Sequence, residues 1–197
     1  MNVIQHYDRL VDENNDPFYD PPVLQKYMDK WDGKVFIDSM LLNNTKQVLE
    51  IGVGTGRLAK KVAPNCLSFV GIDISHKTIE RAKDNLHNFN NVTLICADYV
   101  QYDFKQRFDV VYSSLTLMHF EDKQYFISKA CSLLVCGGLF CLSIDKNQED
   151  YIYMADYKIK VFPDTLEHIL SLIKTTQLCV KKIIEKEFAH IIICQKR

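Results

Sequence analysis

Residues 50–56 read EIGVGTG and place glycine at three alternate positions, Gly52, Gly54 and Gly56. Glycine adopts backbone dihedral angles that other residues avoid, and its missing side chain lets a ligand approach the main chain closely. A turn of this kind can bind a nucleoside triphosphate, a dinucleotide, or a cofactor that carries no phosphate. The spacing of the glycines and the residues that follow must distinguish these three kinds of chemistry.

The spacing excludes a Walker-A phosphate loop, because Gly-x-x-x-x-Gly-Lys-Ser/Thr occurs nowhere in the chain. A dinucleotide fingerprint, Gly-x-Gly-x-x-Gly, that starts at Gly52 requires glycine at position 57, where the chain has Arg57. A fingerprint that starts at Gly54 continues with Gly56 and then Ala59, which is a tolerated variant. The dinucleotide interpretation is therefore weakened and stays open.

A carboxylate follows at the end of the second predicted strand. Asp73 lies 23 residues after Glu50, in the sequence VGIDI. A carboxylate at this place accepts hydrogen bonds from both hydroxyls of a ribose. Because NAD sites need the same group, Asp73 alone indicates a nucleoside and does not identify the cofactor.

The hydrophobic pattern of the chain predicts the strands and helices that hold these residues. From Gln47 onward, short runs rich in Val, Ile and Phe alternate with longer amphipathic segments, which is typical of β-α units in a mostly parallel sheet. One helix is predicted to start after an N-cap at Ser75, and another over 121–135 is predicted to stop at Gly137 and Gly138. The five predicted strands cover 47–51, 67–73, 92–96, 108–113 and 139–144.

The pattern changes after residue 144. Residues 163–172 predict a helix, and residues 180–185 and 190–194 predict two strands. The connection between these strands is too short for a crossover helix, so they should form an antiparallel hairpin. Ahead of the sheet, residues 21–28 and 35–42 predict two short helices, and the polar tract 12–20 before them is expected to be mobile.

The length, composition and charge of the chain limit the kinds of protein that it can be. The 197 residues fit one domain, and no apolar run approaches the roughly 18 residues of a membrane span. Seven cysteines without a C-x-x-C pair indicate buried, reduced thiols. Because the N-terminus also lacks an export signal, we expect a cytoplasmic protein. The formal net charge of −1 argues against a nucleic-acid partner bound by bulk electrostatics.

From Gln47 to the C-terminus, the chain resembles the class I methyltransferases that use S-adenosylmethionine. Glu50 and the glycine turn, Asp73, and Asp98 at the end of the third strand occur in the family's order, followed by FDVV at 108–111 and Gly-Gly at 137–138. The resemblance implies an α/β, Rossmann-like three-layer sandwich. Its seven-stranded, mostly parallel sheet has the order 3-2-1-4-5-7-6, and the last strand is antiparallel.

The resemblance also implies S-adenosyl-L-methionine as cofactor and S-adenosyl-L-homocysteine as product. Glu50 and the glycines would surround the methionine half, Asp73 the ribose and Asp98 the adenine amino group. Tyr7 would fold over the cofactor and stabilise its cation, although an ordinary packing role explains this tyrosine equally well. The full set of implied cofactor-binding residues is Tyr7, Glu50, Gly52, Gly54, Gly56, Asp73, Ile74, Asp98, Tyr99, Ser113 and Ser114.

His119, just after the fourth strand, is the candidate catalytic residue. On the expected acceptor side it could take a proton from a hydroxyl or ammonium nucleophile. The alternative is that it caps or packs against the following helix. The chain lacks the motifs of amide-nitrogen and pyrimidine-C5 methylation, and Asp145 and Asn147 supply only half of a catechol-type metal set, so no metal is expected.

These features predict one domain over 1–197, with a helical extension or lid at 1–45 and a cofactor-binding core at 46–145. A substrate-side segment at 146–177 contains tyrosines and lysines, and a terminal hairpin occupies 178–197. We expect a small-molecule methyl acceptor, no membrane or nucleic-acid partner, and a monomer or homodimer. An RNA or protein methyltransferase, a non-catalytic S-adenosylmethionine-binding protein and a nicotinamide dehydrogenase stay as alternatives.

Overall fold

A seven-stranded sheet crosses the computed structural model, which describes residues 1–197. Its strands lie in the order β3-β2-β1-β4-β5-β9-β8. Numbered within this sheet alone, the order is 3-2-1-4-5-7-6, which confirms the predicted topology. The strands are β1 (Gln47–Ile51), β2 (Ser68–Asp73), β3 (Val92–Cys96), β4 (Phe108–Ser114), β5 (Leu134–Asp145), β8 (Leu178–Glu185) and β9 (Ala189–Lys196).

The first five strands are parallel, and β9 is antiparallel to both of its neighbours. Alternate residues of a strand point to opposite faces, so the apolar residues of β1 divide between two cores. Val48 packs on one side with Phe36 and Ile79, whereas Leu49 packs on the other side with Phe126. Burial of both faces explains why these strands read as continuous apolar runs.

Helices cover both faces of the sheet and complete the three layers. Three short 3-10 turns cover Pro17–Tyr19, Ala63–Asn65 and Leu117–His119. A separate two-stranded hairpin consists of β6 (Tyr151–Tyr153) and β7 (Lys158–Lys160). The helices are α1 (Val3–Asp12), α2 (Pro22–Met28), α3 (Gly33–Asp38), α4 (Ala59–Val62), α5 (His76–Leu86), α6 (Lys123–Leu133) and α7 (Leu166–Lys174).

The structure corrects the predicted boundary between α6 and β5. The helix ends at Leu133, and Gly137 and Gly138 lie inside a strand that begins at Leu134. They are not a glycine stop, because β5 starts early to pair Leu134 with Phe108, and the register then shifts before Val110. Gly137 has a φ of 78°, and a Cβ at Gly138 would lie 3.1 Å from the Asp109 carbonyl oxygen. The two glycines therefore accommodate this irregularity.

The N-terminal region also differs from the prediction. Residues 3–12 form α1, which the sequence analysis did not identify, and α3 ends at Asp38, four residues earlier than expected. The tract after α1 is anchored, because Asp16 accepts hydrogen bonds from Arg81 and Asn85 of α5. The β6–β7 hairpin was missed as well. None of the helices combines the length and the apolar composition that a transmembrane span requires.

Candidate active site

A cavity of about 720 Å³ opens where the carboxyl ends of β1 to β4 meet the N-terminal helix α1. Ligands in open α/β sheets bind at this edge, where the strand order reverses. The cavity brings together ten of the twelve predicted site residues. They are Tyr7, Glu50, Gly52, Gly54, Asp73, Ile74, Asp98, Tyr99, Ser114 and His119.

The glycine turn supplies one wall, and its three glycines have different reasons to lack a side chain. All three have positive φ, at 78° for Gly52, 56° for Gly54 and 98° for Gly56. A Cβ at Gly52 would lie 2.1 Å from Thr116 Oγ1, and one at Gly56 would lie 3.0 Å from Leu86 Cδ1. A Cβ at Gly54 would meet nothing within 4 Å. The space that a side chain at Gly54 would fill therefore belongs to the cavity, whereas protein atoms occupy that space at Gly52 and Gly56.

Glu50 places a nearly buried carboxyl group at the end of β1, where its exposed fraction is 3%. Tyr112 Oη donates to Glu50 Oε2 at 2.7 Å, and Oε1 has no hydrogen-bond partner in the protein. Burial raises the pKa of Glu50 to about 8, although the Tyr112 hydroxyl and the charge of Arg57 act in the opposite direction. A cationic ligand group at Oε1 would favour the ionised form.

Asp73 and Asp98 place two further carboxylates at the ends of β2 and β3. Asp73 Oδ2 accepts from the Gly54 backbone N–H at 3.0 Å, and Oδ1 accepts from the Ser75 N–H at 3.1 Å. Burial raises the pKa of Asp73, against these backbone donors. Asp98 Oδ1 accepts from the Val100 N–H at 2.8 Å. Backbone donors thus fix the direction of both side chains.

An arginine that the sequence analysis did not select also lines the cavity. Arg57 donates from Nη1 and Nη2 to the two carboxylate oxygens of Asp32, at 3.1 and 2.5 Å, and Ser114 Oγ donates to Asp32 Oδ2 at 2.7 Å. Burial alone would raise the pKa of Asp32, but the Arg57 guanidinium, the Gly33 N–H and the Ser114 hydroxyl together hold that pKa below its usual value. In the sequence, the position of Arg57 directly after Gly56 was the feature that could have identified it as a cavity residue. Nothing in the sequence marked Asp32.

Tyr7 and His119 meet across the cavity although 112 residues separate them. Tyr7 Oη lies 2.8 Å from His119 Nε2, and the two rings are nearly perpendicular, with centroids 5.5 Å apart. Burial lowers the pKa of His119 to about 4, and the charge of His6 acts in the same direction. Burial and the charge of Asp73 raise the pKa of Tyr7. Both rings are therefore neutral near pH 7.

Two predicted residues do not line the cavity. Gly56 packs against α5 as described above. Ser113 is completely buried and donates from Oγ to the Ile51 carbonyl at 3.0 Å. Because Ser113 and Ser114 alternate along β4, only one of them can face the ligand side, and it is Ser114. Tyr99 does line the cavity, but its hydroxyl is directed into the core, where it donates to the Phe126 carbonyl at 3.2 Å.

The tyrosines and lysines of residues 151–160 lie on the β6–β7 hairpin. Lys158 Nζ lies 4.0 Å from the centroid of the Tyr151 ring, which is a cation–π contact within the hairpin itself. Tyr157 Oη lies 2.9 Å from His6 Nδ1 of α1. The hairpin therefore contacts the helix that covers the cavity.

Comparison with known proteins gives a consistent result. Residues 48–138 match the family described as "Methyltransferase domain". The chain is 32% identical over 152 residues to an uncharacterized methyltransferase of Anoxybacillus flavithermus, covering 74% of this chain and 70% of that protein. It is 28% identical over 149 residues to ubiquinone biosynthesis O-methyltransferase of Coxiella burnetii, covering 73% of this chain and 64% of that protein. The chain thus spans less than two thirds of the Coxiella relative.

Solved structures share the same fold. The N-methyltransferase NodS of Bradyrhizobium japonicum WM9, crystallised in complex with S-adenosyl-L-homocysteine, superimposes with a TM-score of 0.76. The match covers 100% of this chain and 99% of NodS, at 17% sequence identity. At this identity the likeness concerns the fold.

Proposed function

Because this chain belongs to the class I S-adenosylmethionine-dependent methyltransferases, we propose that it transfers a methyl group from S-adenosyl-L-methionine to a small-molecule acceptor. The observation that carries the proposal is the convergence of Glu50, Asp73 and Asp98 around Gly54 in one cavity. The cavity volume of about 720 Å³ lies within the range of small-molecule and cofactor sites.

The residues present fit the cofactor. The free Oε1 of Glu50 suits the ammonium group of the methionine half, and the open space at Gly54 lets the ligand approach the backbone. Asp73 suits the ribose hydroxyls, and Asp98 suits the adenine amino group. Tyr7, Gly52, Ile74, Tyr99 and Ser114 complete the wall. Gly56 and Ser113 do not line the cavity and instead pack within the protein behind this wall.

S-adenosylmethionine, when bound, would supply a methyl group on a cationic sulfonium, with S-adenosyl-L-homocysteine as the product. The protein's own contribution is to hold both reactants in line and to exclude water. Tyr7 presents an aromatic ring to the cation. His119 takes the proton that the acceptor loses, because its neutral ring lies on the cavity wall.

A small-molecule acceptor is supported by the way in which the site is covered. α1, from the predicted lid at residues 1–45, closes the cavity on one side, and the β6–β7 hairpin of the predicted substrate-side segment, 146–177, contacts α1. A lid of this kind leaves little room for a folded macromolecule. The Coxiella relative is named an O-methyltransferase and NodS an N-methyltransferase, so the atom that receives the methyl group differs within the fold.

The first test is ligand specificity. S-adenosylhomocysteine at about 100 times its Kd should raise the thermal midpoint by roughly 5 to 10 °C, whereas NAD should leave it unchanged. Asp73→Asn and Asp98→Ala should each weaken S-adenosylhomocysteine binding by about 1 to 3 kcal/mol in calorimetry, because each removes charge-assisted hydrogen bonds. Asp103→Asn, an exposed carboxylate outside the cavity, is the matched control.

Three outcomes would contradict the proposal. Stabilisation by NAD in place of S-adenosylhomocysteine would indicate a dehydrogenase. Unchanged affinity in both Asp73→Asn and Asp98→Ala would mean that the carboxylates do not hold the cofactor. Strong binding of S-adenosylhomocysteine, with no methyl transfer from S-adenosylmethionine to any component of a cell extract, would favour a non-catalytic binding protein.

A further inference from the structure

The turn of the β6–β7 hairpin contacts α1 through two pairs of side chains. Tyr157 Oη lies 2.9 Å from Nδ1 of the buried His6, and Asp156 Oδ2 accepts from Arg9 Nη1 at 2.9 Å. The Arg9 guanidinium also lies 4.7 Å from the centroid of the Tyr157 ring, which is a cation–π contact. His6 and Arg9 are three positions apart and therefore lie on one side of α1. We call these four residues the clasp.

The base of the hairpin is fixed to the turn after β4, so the hairpin is a firm point of attachment for α1. Beyond β7, the Phe162 N–H donates to the Met118 carbonyl at 2.8 Å, and Lys123 Nζ donates to the Phe162 carbonyl at 2.5 Å. Met118 lies in the 3-10 turn Leu117–His119, and Lys123 is the first residue of α6. Ile159 of β7 is completely buried. The hairpin thus joins α1 to a turn that contributes to the cavity wall.

Three sides of α1 have three different neighbours. The residues of α1 that line the cavity are Val3, Tyr7, Leu10 and Val11. Asp8 and Asp12 lie on a second side and bond to α5. His6 and Arg9 lie on the third side, toward the hairpin, and no clasp residue lines the cavity. The clasp therefore acts on the position of the helix and has no direct contact with a ligand in the cavity.

Tyr157 is the clasp residue whose loss should matter most. Its hydroxyl is the only hydrogen-bond partner of His6 Nδ1 in the protein, and His6 is buried. Loss of that hydroxyl leaves a buried ring nitrogen unpaired, which costs free energy that a solvated group does not pay. The Arg9–Asp156 ion pair is partly exposed on both sides and contributes little to the free energy of the closed position.

We propose that Tyr157 is a positioning residue that holds α1 over the cavity through His6, so that the cofactor enters and its product leaves only when the hairpin releases α1. The inference rests on the proposed methyltransferase function, because S-adenosyl-L-homocysteine must leave after every transfer. The segment on the substrate side, 146–177, thereby controls the exchange of the cofactor. Since product release limits turnover in many enzymes, the clasp sets an upper limit to the turnover rate.

Stopped-flow measurement of S-adenosylhomocysteine binding tests the clasp and needs no identified acceptor. Tyr157→Phe keeps the ring beside Arg9 and removes only the hydroxyl. Because the clasp lies outside the cavity, its loss acts on the free and the occupied chain alike. Association and dissociation should both become about three- to tenfold faster, while the Kd changes less than about twofold, because one hydrogen bond that holds α1 is lost. Hydrogen exchange over residues 3–12 of the ligand-free chain should rise by a similar factor.

Tyr153→Phe is the matched control, because Tyr153 is an exposed tyrosine of the same hairpin and lies outside the clasp. It should leave both rate constants unchanged. Asp156→Asn, a second clasp variant, loses only the exposed ion pair and should accelerate both steps by about twofold or less.

Three results would overturn the proposal. Unchanged rates in Tyr157→Phe would mean that the clasp does not hold α1, and equal acceleration in Tyr153→Phe would remove the specific role of Tyr157. Faster dissociation with an unchanged association rate and a weaker affinity would mean that Tyr157 acts on the ligand and not on the helix. Absent binding of S-adenosylhomocysteine by the unmodified chain would instead contradict the proposed function, and this inference with it.

Discussion

Glu50 is an acidic side chain that has lost most of its contact with water. In the folded chain its pKa is about 8, against an ordinary value of 4.5, with burial as the main cause. Between these two values the folded state holds a proton that the unfolded state has released. The free energy of unfolding must therefore fall as the pH rises through this window.

Glu50→Gln tests this linkage, because an amide of the same shape does not titrate. Each pKa unit corresponds to about 1.4 kcal/mol, so the free energy of unfolding of the ligand-free chain should fall between pH 5 and pH 8 by roughly 2 to 4 kcal/mol more than that of Glu50→Gln. Urea unfolding at the two pH values measures the difference. Parallel behaviour of the two chains would mean that the folded carboxyl group is already ionised at pH 5.

Gly54 and Gly137 provide a comparison between two glycines with the same backbone demand. Both have positive φ, and a Cβ at either would meet nothing within 4 Å. Gly54→Ala and Gly137→Ala should each cost about 1 kcal/mol of stability, from the left-handed backbone alone. Only Gly54→Ala should also weaken S-adenosylhomocysteine binding, by tenfold or more, since its methyl group enters the cavity. Equal affinity of the two variants in calorimetry would place the ligand elsewhere.

Helix α1 is the part of the site that the family resemblance covered least. Its N-terminus is fixed by a capping box between Asn2 and Gln5. Its two polar contacts with α5 differ in burial. Asp8 accepts a hydrogen bond from the buried Ser75, whereas Asp12 pairs with Lys77 at the surface. Helices held mainly by a few polar contacts open more easily than core elements.

Asp8→Ala should therefore loosen α1 more than Asp12→Ala does. Loss of a charge-assisted hydrogen bond costs about 1.5 to 3 kcal/mol, whereas an exposed ion pair contributes at most about 1 kcal/mol. We expect faster hydrogen exchange over residues 3–12 and about tenfold faster dissociation of S-adenosylhomocysteine in Asp8→Ala, measured by mass spectrometry and stopped flow. Similar dissociation rates in the two variants would show that α1 does not retain the ligand.

The overall charge of the chain bears on the class of molecule that accepts the methyl group. The chain has 24 basic and 25 acidic residues, and its long-range field therefore has no basic excess to attract a polyanion. A small molecule reaches the cavity without such a field. The charge balance and the covered cavity thus favour the same class of acceptor.

Binding to bulk tRNA is the corresponding measurement. In filter binding at low salt the chain should bind tRNA weakly or not at all, because non-specific affinity arises mainly from neutralised phosphates. The same preparation, tested for S-adenosylhomocysteine binding, shows that the protein is folded. Tight binding that falls steeply with added salt would support an RNA methyltransferase in place of the small-molecule enzyme.

The strands of the sheet and many residues of the cavity wall could be predicted from the sequence. The strands, the terminal hairpin of β8 and β9 and the positions of Glu50, Gly54 and Asp73 follow from local signals: apolar runs, turn glycines and carboxylates at strand ends. The strand order and the place of Asp98 came from the resemblance to the class I methyltransferases. These signals are readable because parallel strands carry their functional residues at one shared edge. A residue at a strand end is thereby placed without knowledge of distant contacts.

The contacts between residues far apart in the chain could be read only from the folded structure. It paired Tyr7 with His119 and Asp32 with Arg57, and it turned Ser113 away from the cavity. It also made Gly137 and Gly138 part of β5, because strand pairing with β4 outweighed their local preference for a helix end. Each outcome depends on which surfaces pack together, and local propensity carries no information on that.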